Sequence, residues 1–359
     1  MFTRGSKDGR IRRTDGADRS DQTPFDGAGS PGVPTKIQTD RRRRAAVAPT
    51  ELRGEPVATA IRESAADRVR SLRERGRVPT VGTVLASDAT AAYRFMDLKH
   101  EACRELGVAT RDRRLDPDGP PDAVVETVET LSADPDVDAV FVQTPLPDGV
   151  DAAALGRRID PAKDVDCFHP ENLGRLVAGD PRYVPATTAA VCRLLAHYDV
   201  PVAGRDAVVV GRSRAIGRPL ANRLLWDADP GNATVTVCHS RTRDLGAKTR
   251  EADLLVTAAG RPGLVDESML SSGTVVVDVS ANRRVEAEAA DEGADATGVG
   301  GATATVVGDV DEEAARASAA AFTPVPGGVG PVTLAALLDN VVTAAERRSL
   351  GEERDDSRE

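Results

Sequence analysis

From Leu52 onward the chain alternates between two hydrophobic patterns. Short apolar, β-branched runs recur at 79–86 (P-T-V-G-T-V-L-A), 137–143 (V-D-A-V-F-V-Q), 206–211 (D-A-V-V-V-G), 233–239 (A-T-V-T-V-C-H), 253–259 (D-L-L-V-T-A-A) and 274–280 (T-V-V-V-D-V-S). They are continuous rather than strictly alternating, the signature of parallel strands buried on both faces. Between them, apolar positions return at helical spacing and predict helices over Glu55–Arg75, Ala92–Leu106 and Thr188–His197. Gly76 stands where the first of these should stop. A last periodic stretch, Pro331 to about Glu346, follows a Pro/Gly loop and predicts a helix that can return to the first half of the fold.

Strand–helix alternation predicts an α/β protein with parallel sheets and right-handed crossovers, and no repeat of fixed period is present. The two halves punctuate differently. Up to about Pro185 the strands end in Pro-containing loops, whereas from Asp206 the order is strand, Gly turn, helix, the layout of a Rossmann-like nucleotide-binding half. The expected organisation is two domains: 51–185 plus 323–347, and a Rossmann-like unit over 186–322.

Composition changes the picture only at the ends. Residues 1–50 are rich in Gly, Asp, Arg, Ser and Pro, lack periodicity, and carry 11 basic against 6 acidic side chains, so a disordered extension is expected there. The Arg41–Arg44 run is read as part of a solvated tail, and no apolar stretch follows it as a secretory signal requires. Residues 348–359 are expected to be a disordered tail.

The net charge of −10 argues against a nucleic-acid or anionic-membrane binder. Of 47 basic residues only five are lysine, which leaves 42 arginines and suggests a GC-rich genome and a salt-adapted proteome. Cys103, Cys167, Cys192 and Cys238 form no C-x-x-C and are read as reduced thiols of a cytosolic protein. The four histidines have no metal-ligand spacing, so no metal site is expected. No apolar run reaches the roughly 18 residues that span a bilayer.

Candidate chemistry begins at V-V-V-G-R-S-R-A-I-G-R-P (208–219), between a strand and a helix. Gly211 allows a sharp turn, and the N–H groups that follow can face an anion. The spacing is not G-x-G-x-x-G, since Ser213 takes the second Gly position and Gly217 falls one place late. The next strand ends in H-S-R-T (239–242), where an NAD-selective site places Asp or Glu. The hydroxyls of Ser240 and Thr242, with the guanidinium of Arg212, suit a 2′-phosphate instead and argue for NADP.

Three further segments stand out. Q-T-P-L-P (143–147) follows a strand, K-D-V-D-C-F-H-P (163–170) concentrates two carboxylates in a loop, and T-P-V-P-G-G-V-G-P-V-T (323–333) opens the last helix. Each alone reads as a rigid turn; together on one chain they point to a ligand site. With these motifs, and with A-A-G-R-P-G (258–263) and G-D-V-D (308–311), the sequence resembles the bifunctional methylenetetrahydrofolate dehydrogenase/methenyltetrahydrofolate cyclohydrolase family from about Leu52 to about Val342.

That resemblance implies a two-domain cytoplasmic enzyme of one-carbon metabolism and purine biosynthesis, usually a homodimer, with a tetrahydrofolate derivative in the cleft against NADP. Carried over by motif, Lys99 matches the catalytic lysine, Gln143 the glutamine that contacts it, and Asp166 the carboxylate that holds the pterin. Arg212, Ser213 and Ser240 match cofactor-phosphate contacts, and Pro326, Gly327 and Gly328 the loop beside folate and nicotinamide. A lysine beside a neutral glutamine and partly desolvated has its pKa lowered, which suits proton transfer near neutral pH.

Four motifs depart from the family's pattern. Phe95 stands where Y-x-x-x-K has Tyr, P-A-T-T-A-A (185–190) replaces P-C-T-P-x-G, Cys167 replaces the Gly of D-V-D-G, and D-V-S-A-N (278–282) replaces D-V-G-I-N. Phe95 and Lys99 share a helix face, and the ring of Phe95 is expected to pack on folate. Tyr93 lies about 200° around the helix from Phe95 and cannot supply the missing hydroxyl. Three functional readings follow: the bifunctional enzyme; a dehydrogenase with weak or absent hydrolysis, motivated by Phe95; and a non-catalytic NADP- or folate-binding regulator. The P-G-G-V-G-P loop argues against a shikimate-type dehydrogenase of similar plan.

Overall fold

The computed structural model describes residues 48–286 and 303–356. In chain order the elements are β1 (Thr50–Glu51), α1 (Glu55–Glu74), β2 (Thr80–Leu85), α2 (Thr90–Leu106), β3 (Ala109–Arg114), α3 (Pro121–Ala133), β4 (Ala139–Gln143), α4 (Ala152–Gly156) and α5 (Pro170–Val177). There follow α6 (Ala186–His197), β5 (Asp206–Val210), α7 (Gly217–Leu224), β6 (Thr234–Cys238), α8 (Leu245–Glu251), β7 (Leu254–Thr257) and β8 (Val275–Asp278). The chain closes with β9 (Asn282–Glu286), β10 (Thr303–Val307), α9 (Glu312–Ser318), β11 (Ala321–Phe322) and α10 (Val329–Asp356).

Two parallel sheets carry the fold, as the α/β reading expects. The first has the order β3-β2-β4 and the second β1-β11-β8-β7-β5-β6, while β9 and β10 form a separate antiparallel pair. Each central strand divides its side chains between two cores, as the period of two requires. In β4, Ala139 and Phe141 face the core shared with α2 and α10, whereas Val140 and Val142 pack with Val124, Val128 and Leu131 of α3. In β5, Ala207 and Val209 face the core shared with α1 and α6, whereas Val208 and Val210 face the opposite core. This two-sided burial is why the central strands read as unbroken apolar runs. β3 (A-T-R-D-R-R) is instead largely exposed at a sheet edge, so its sequence carries no such signal.

The long helices join the halves. α1 places Val57, Ala58 and Ile61 in the core under the six-stranded sheet, and Ala65, Val69 and Leu72 in the core under the three-stranded one. α10 does the same with Val329, Val332 and Ala335 on one side and Leu338, Val341 and Val342 on the other. Each such fully buried aliphatic side chain contributes about 1.5–3 kcal/mol, so the helices hold both units together.

Three boundaries differ from the sequence expectation. Thr50, assigned to the extension, is a strand residue: Thr50 N–H donates to Ala320 O at 3.1 Å and Leu52 N–H to Phe322 O at 2.7 Å. This also puts β1 on the six-stranded sheet rather than with the first domain. The last helix does not end near Glu346, and the expected tail is helical through Asp356. Arg348 secures it there, pairing with Asp138 and donating to Val137 O and Pro135 O. Residues 1–47 of the expected extension, and 357–359 of the tail, lie outside the described residues.

Candidate active site

α2 and β4 meet at Lys99. Its Nζ donates to Gln143 Oε1 at 2.9 Å and lies 4.0 Å from the centroid of the Phe141 ring. Gln143 is the last residue of β4, and its own Nε2 donates to Thr144 O at 2.7 Å, which fixes the amide so that oxygen faces the lysine. Gln143 is a neutral partner, so it orders the amine without adding the charge that would stabilise an ammonium. Burial lowers the Lys99 pKa below the usual ammonium range, and the nearby Asp166 carboxylate opposes that shift. Cys103, one turn further along α2, is pushed up to about 12 by burial and stays a neutral thiol.

Asp166 sits half-buried in the K-D-V-D loop. Burial pushes its carboxyl up to about 6, with Lys99 pulling it down and Asp164 pushing it further up. Asp164 has another task. Its carboxylate accepts from Phe168 N–H at 3.0 Å, His169 N–H at 2.8 Å and Asn172 Nδ2 at 2.9 Å, so it ties the loop back on itself. Cys167 follows at φ 60°, in the left-handed region where the family pattern has Gly, and donates its thiol to Tyr183 O at 3.2 Å.

Lys99 and Asp166 line a cleft of about 580 Å³ between the two halves. Phe95 and Leu98 of α2, Phe168 and Thr187 form part of the wall, Ala215 and Ile216 come from the Gly211–Gly217 loop, and Val279 and Ala281 from the end of β8. Phe95 is 52% exposed at the mouth, an apolar plate open to a flat ligand. Tyr93 is not in the lining and stacks instead near Arg114.

The proline–glycine loop takes part differently from the expectation. The lining begins at Gly330 and continues through Pro331, Thr333 and Leu334, while Pro326, Gly327 and Gly328 are outside it. Gly327 and Gly328 pack instead on the residue before α1: Gly54 N–H donates to Gly327 O at 2.8 Å, and a Cβ on Gly54 would stand 1.9 Å from Gly328 O.

The crevice for a dinucleotide lies where β5 has β6 on one side and β7 on the other, the point at which strand order reverses. Gly211 turns there at φ 137°, and a Cβ on it would meet Ala258 O at 2.4 Å. A Cβ on Gly217 would meet Gly211 O at 2.2 Å, so both glycines are required by the close approach of backbone. Ser213 Oγ accepts from Ile216 N–H at 3.1 Å, and Thr242 Oγ1 accepts from His239 N–H at 2.9 Å. Both hydroxyls therefore shape the loops. Arg212 and Ser240 are exposed, each two residues beyond the paired ends of β5 and β6. With no carboxylate in 239–242, this rim fits NADP: an exposed guanidinium and hydroxyl are the donors that would hold a 2′-phosphate.

Sequence reasoning singled out no role for Asp309, which is fully buried. It accepts from Ala259 N–H at 2.6 Å, Gly260 N–H at 3.2 Å and Arg261 N–H at 2.6 Å, and from Ser280 Oγ at 2.7 Å and Asn282 Nδ2 at 3.0 Å. It thus holds the A-A-G-R turn after β7 in shape at the crevice. Ser280, a departure from the family's Gly, is one of its donors. The G-D-V-D motif was the available signal, but a motif does not say whom its carboxylate bonds.

Residues 52–166 match the model of the tetrahydrofolate dehydrogenase/cyclohydrolase catalytic domain, and residues 185–349 that of the tetrahydrofolate dehydrogenase/cyclohydrolase NAD(P)-binding domain. The bifunctional protein FolD of Haloquadratum walsbyi is 48% identical over 81% of this chain and 89% of its own length. Among solved structures, the bifunctional FolD of Campylobacter jejuni is 36% identical with a TM-score of 0.75, covering 84% of this chain and 100% of that one. The FolD of Trypanosoma brucei, solved with NADP cofactor and inhibitor, is 34% identical with a TM-score of 0.76, covering 85% of this chain and 99% of that one.

Proposed function

The chain belongs to the tetrahydrofolate dehydrogenase/cyclohydrolase family, and from that premise we propose that its one cleft serves two successive reactions. It oxidises 5,10-methylenetetrahydrofolate to the 5,10-methenyl form with NADP, then hydrolyses that to 10-formyltetrahydrofolate. The observation that carries the reading is the Lys99–Gln143 contact beside Asp166 in a cleft walled by both halves. Relatives named as bifunctional leave the reading without hydrolysis, and the regulator, unsupported.

For oxidation the chain mainly positions two rings. Phe95, Leu98 and Phe168 offer apolar surface to the folate, and Asp166 accepts from its pterin. Gly211, Arg212, Ser213, Gly217, Ser240 and Thr242 form the cradle for NADP, which when bound supplies the hydride acceptor. For hydrolysis, Lys99 Nζ takes the proton released as water adds to the amidinium carbon. It returns one to N5 as the C–N5 bond breaks, and the remaining hydroxyl proton leaves to solvent. Gln143 holds Nζ in place throughout. Gly327 and Gly328, packed on Gly54 at the start of α1, anchor the loop that leads into the Gly330–Leu334 part of the folate wall.

We assign the domains accordingly: 51–185 plus 323–347 for folate and catalysis, 186–322 for NADP, with α1 and α10 common to both. A homodimer is part of the proposal, supported by the outer edge of β6, which pairs with no other strand among the described residues and on which Val237 is 39% exposed. A cytoplasmic place fits the four buried free thiols, and a role in purine biosynthesis is proposed from the family reading alone. The test is cofactor reduction with methylenetetrahydrofolate: NADP should exceed NAD in kcat/KM, and equal use of both would contradict the role of Arg212 and Ser240. Light scattering should give twice the chain mass.

A further inference from the structure

The two loops that face each other across the cleft each run into a short helix, and those helices pack together. The K-D-V-D-C-F-H loop leads into α5 and the Gly211–Gly217 loop into α7. Two hydrogen bonds bracket this helix pair. At the end away from the cleft, Trp226 Nε1 donates to Leu176 O at 3.1 Å. At the cleft end, Arg214 Nη2 donates to Phe168 O at 3.1 Å.

Arg214 is the residue before Ala215 and Ile216, which line the cleft, and Phe168 lies two residues beyond Asp166 in the opposite wall. The other side of Phe168 is already held, because its N–H donates to Asp164. Phe168 is therefore fixed to its own domain by Asp164 and to the cofactor loop by Arg214. We propose that Arg214 is a positioning residue for hydride transfer: it sets the spacing of the folate wall against the NADP cradle by bonding Phe168 O across the cleft. The inference rests on the functional reading above. Its consequence is selective. Hydride transfer needs groups from both walls, whereas Lys99 and Gln143, which serve hydrolysis, both belong to one, with Asp166 holding the pterin on that same side.

The experiment compares the full-length protein with Arg214→Ala, Arg214→Lys and Trp226→Phe. It measures NADP reduction, hydrolysis of supplied methenyltetrahydrofolate, and Tm. Loss of the tie misplaces the two rings, so Arg214→Ala should lower the dehydrogenase kcat roughly ten-fold. Hydrolysis and the KM for NADP should change by less than about two-fold, since Asp164 and the phosphate cradle are untouched. Lysine can make the same single bond, so Arg214→Lys should recover most of the loss. Trp226→Phe removes a bond far from the cleft and should lower Tm while leaving the ratio of the two activities unchanged. Should the alanine variant not fold, Arg214→Gln, a donor of shorter reach, should give an intermediate loss confined to the dehydrogenase. Proportional loss of both activities, no loss of either, or no recovery with lysine would overturn the proposal. Absence of both activities from the unaltered protein would instead contradict the family reading, and so the two failures are distinguishable.

Discussion

Lys99 and Gln143 lie 44 residues apart in sequence, on a helix and at the end of a strand, yet Nζ and Oε1 meet at 2.9 Å. The contact orders an amine whose pKa burial has already lowered. A neutral acceptor is the important choice, because a carboxylate in the same place would hold the proton on the lysine.

Gln143→Glu tests that choice. The free amine of Lys99 is the base, so hydrolysis rises with pH through the lysine's pKa. A glutamate raises that pKa and moves the rising limb of the pH profile to higher pH. Near neutral pH the hydrolysis rate should fall at least ten-fold, within the range a general base contributes, and recover in part as the pH is raised. The dehydrogenase profile should move much less.

Asp166 ties stability to function. Its carboxyl stands at about 6 against an ordinary value of 3.8. The folded state thus holds this proton more tightly than the unfolded chain, and stability from this group declines as pH rises from about 4 to about 6. Asp166→Asn should remove that cost, stabilising the protein at pH 7 by on the order of 1 kcal/mol after allowance for its partial exposure. The gain should vanish below pH ~3.5 in denaturant titrations. The same variant should raise the KM for folate, an exchange of activity for stability.

Cys167 occupies φ 60° next to Asp166. A β-branched side chain is strained there, so Cys167→Val should cost roughly 1–3 kcal/mol in chemical unfolding. Cys167→Gly relieves the backbone but loosens the unfolded chain and removes the bond to Tyr183 O, and should stay within about 1 kcal/mol of the parent.

The central strands and the long helices were legible in the sequence because burial on both sheet faces leaves unbroken apolar runs in β2, β4, β5, β7 and β8. What escaped notice was held by other forces. β3 is a charged edge, β1 is two residues held by backbone bonds and by the ion pair of Glu51 with Arg316, and the end of α10 depends on Arg348 reaching the loop before β4. Within the site, the glycine turn at Gly211 announced itself, but the roles of Lys99 and Asp166 came from family resemblance, since no periodicity links positions so far apart. Asp309 and Arg214 act through carbonyls and amides of distant segments, which sequence pattern does not encode. Ser213 and Thr242 were expected to meet the cofactor; the structure shows their hydroxyls accepting hydrogen bonds within their own loops, which they shape.

One time course tests the account most directly. The unaltered protein and Lys99→Met are given methylenetetrahydrofolate and NADP, and NADPH and methenyl absorbance are followed together. The unaltered protein should form NADPH with little methenyl accumulation. Lys99→Met should form NADPH within about ten-fold of that rate while methenyl accumulates in equal amount, its hydrolysis slowed at least 100-fold. Equal losses of both activities, or methenyl decay unchanged by the substitution, would contradict the role of Lys99 as the proton-transfer group of the cleft.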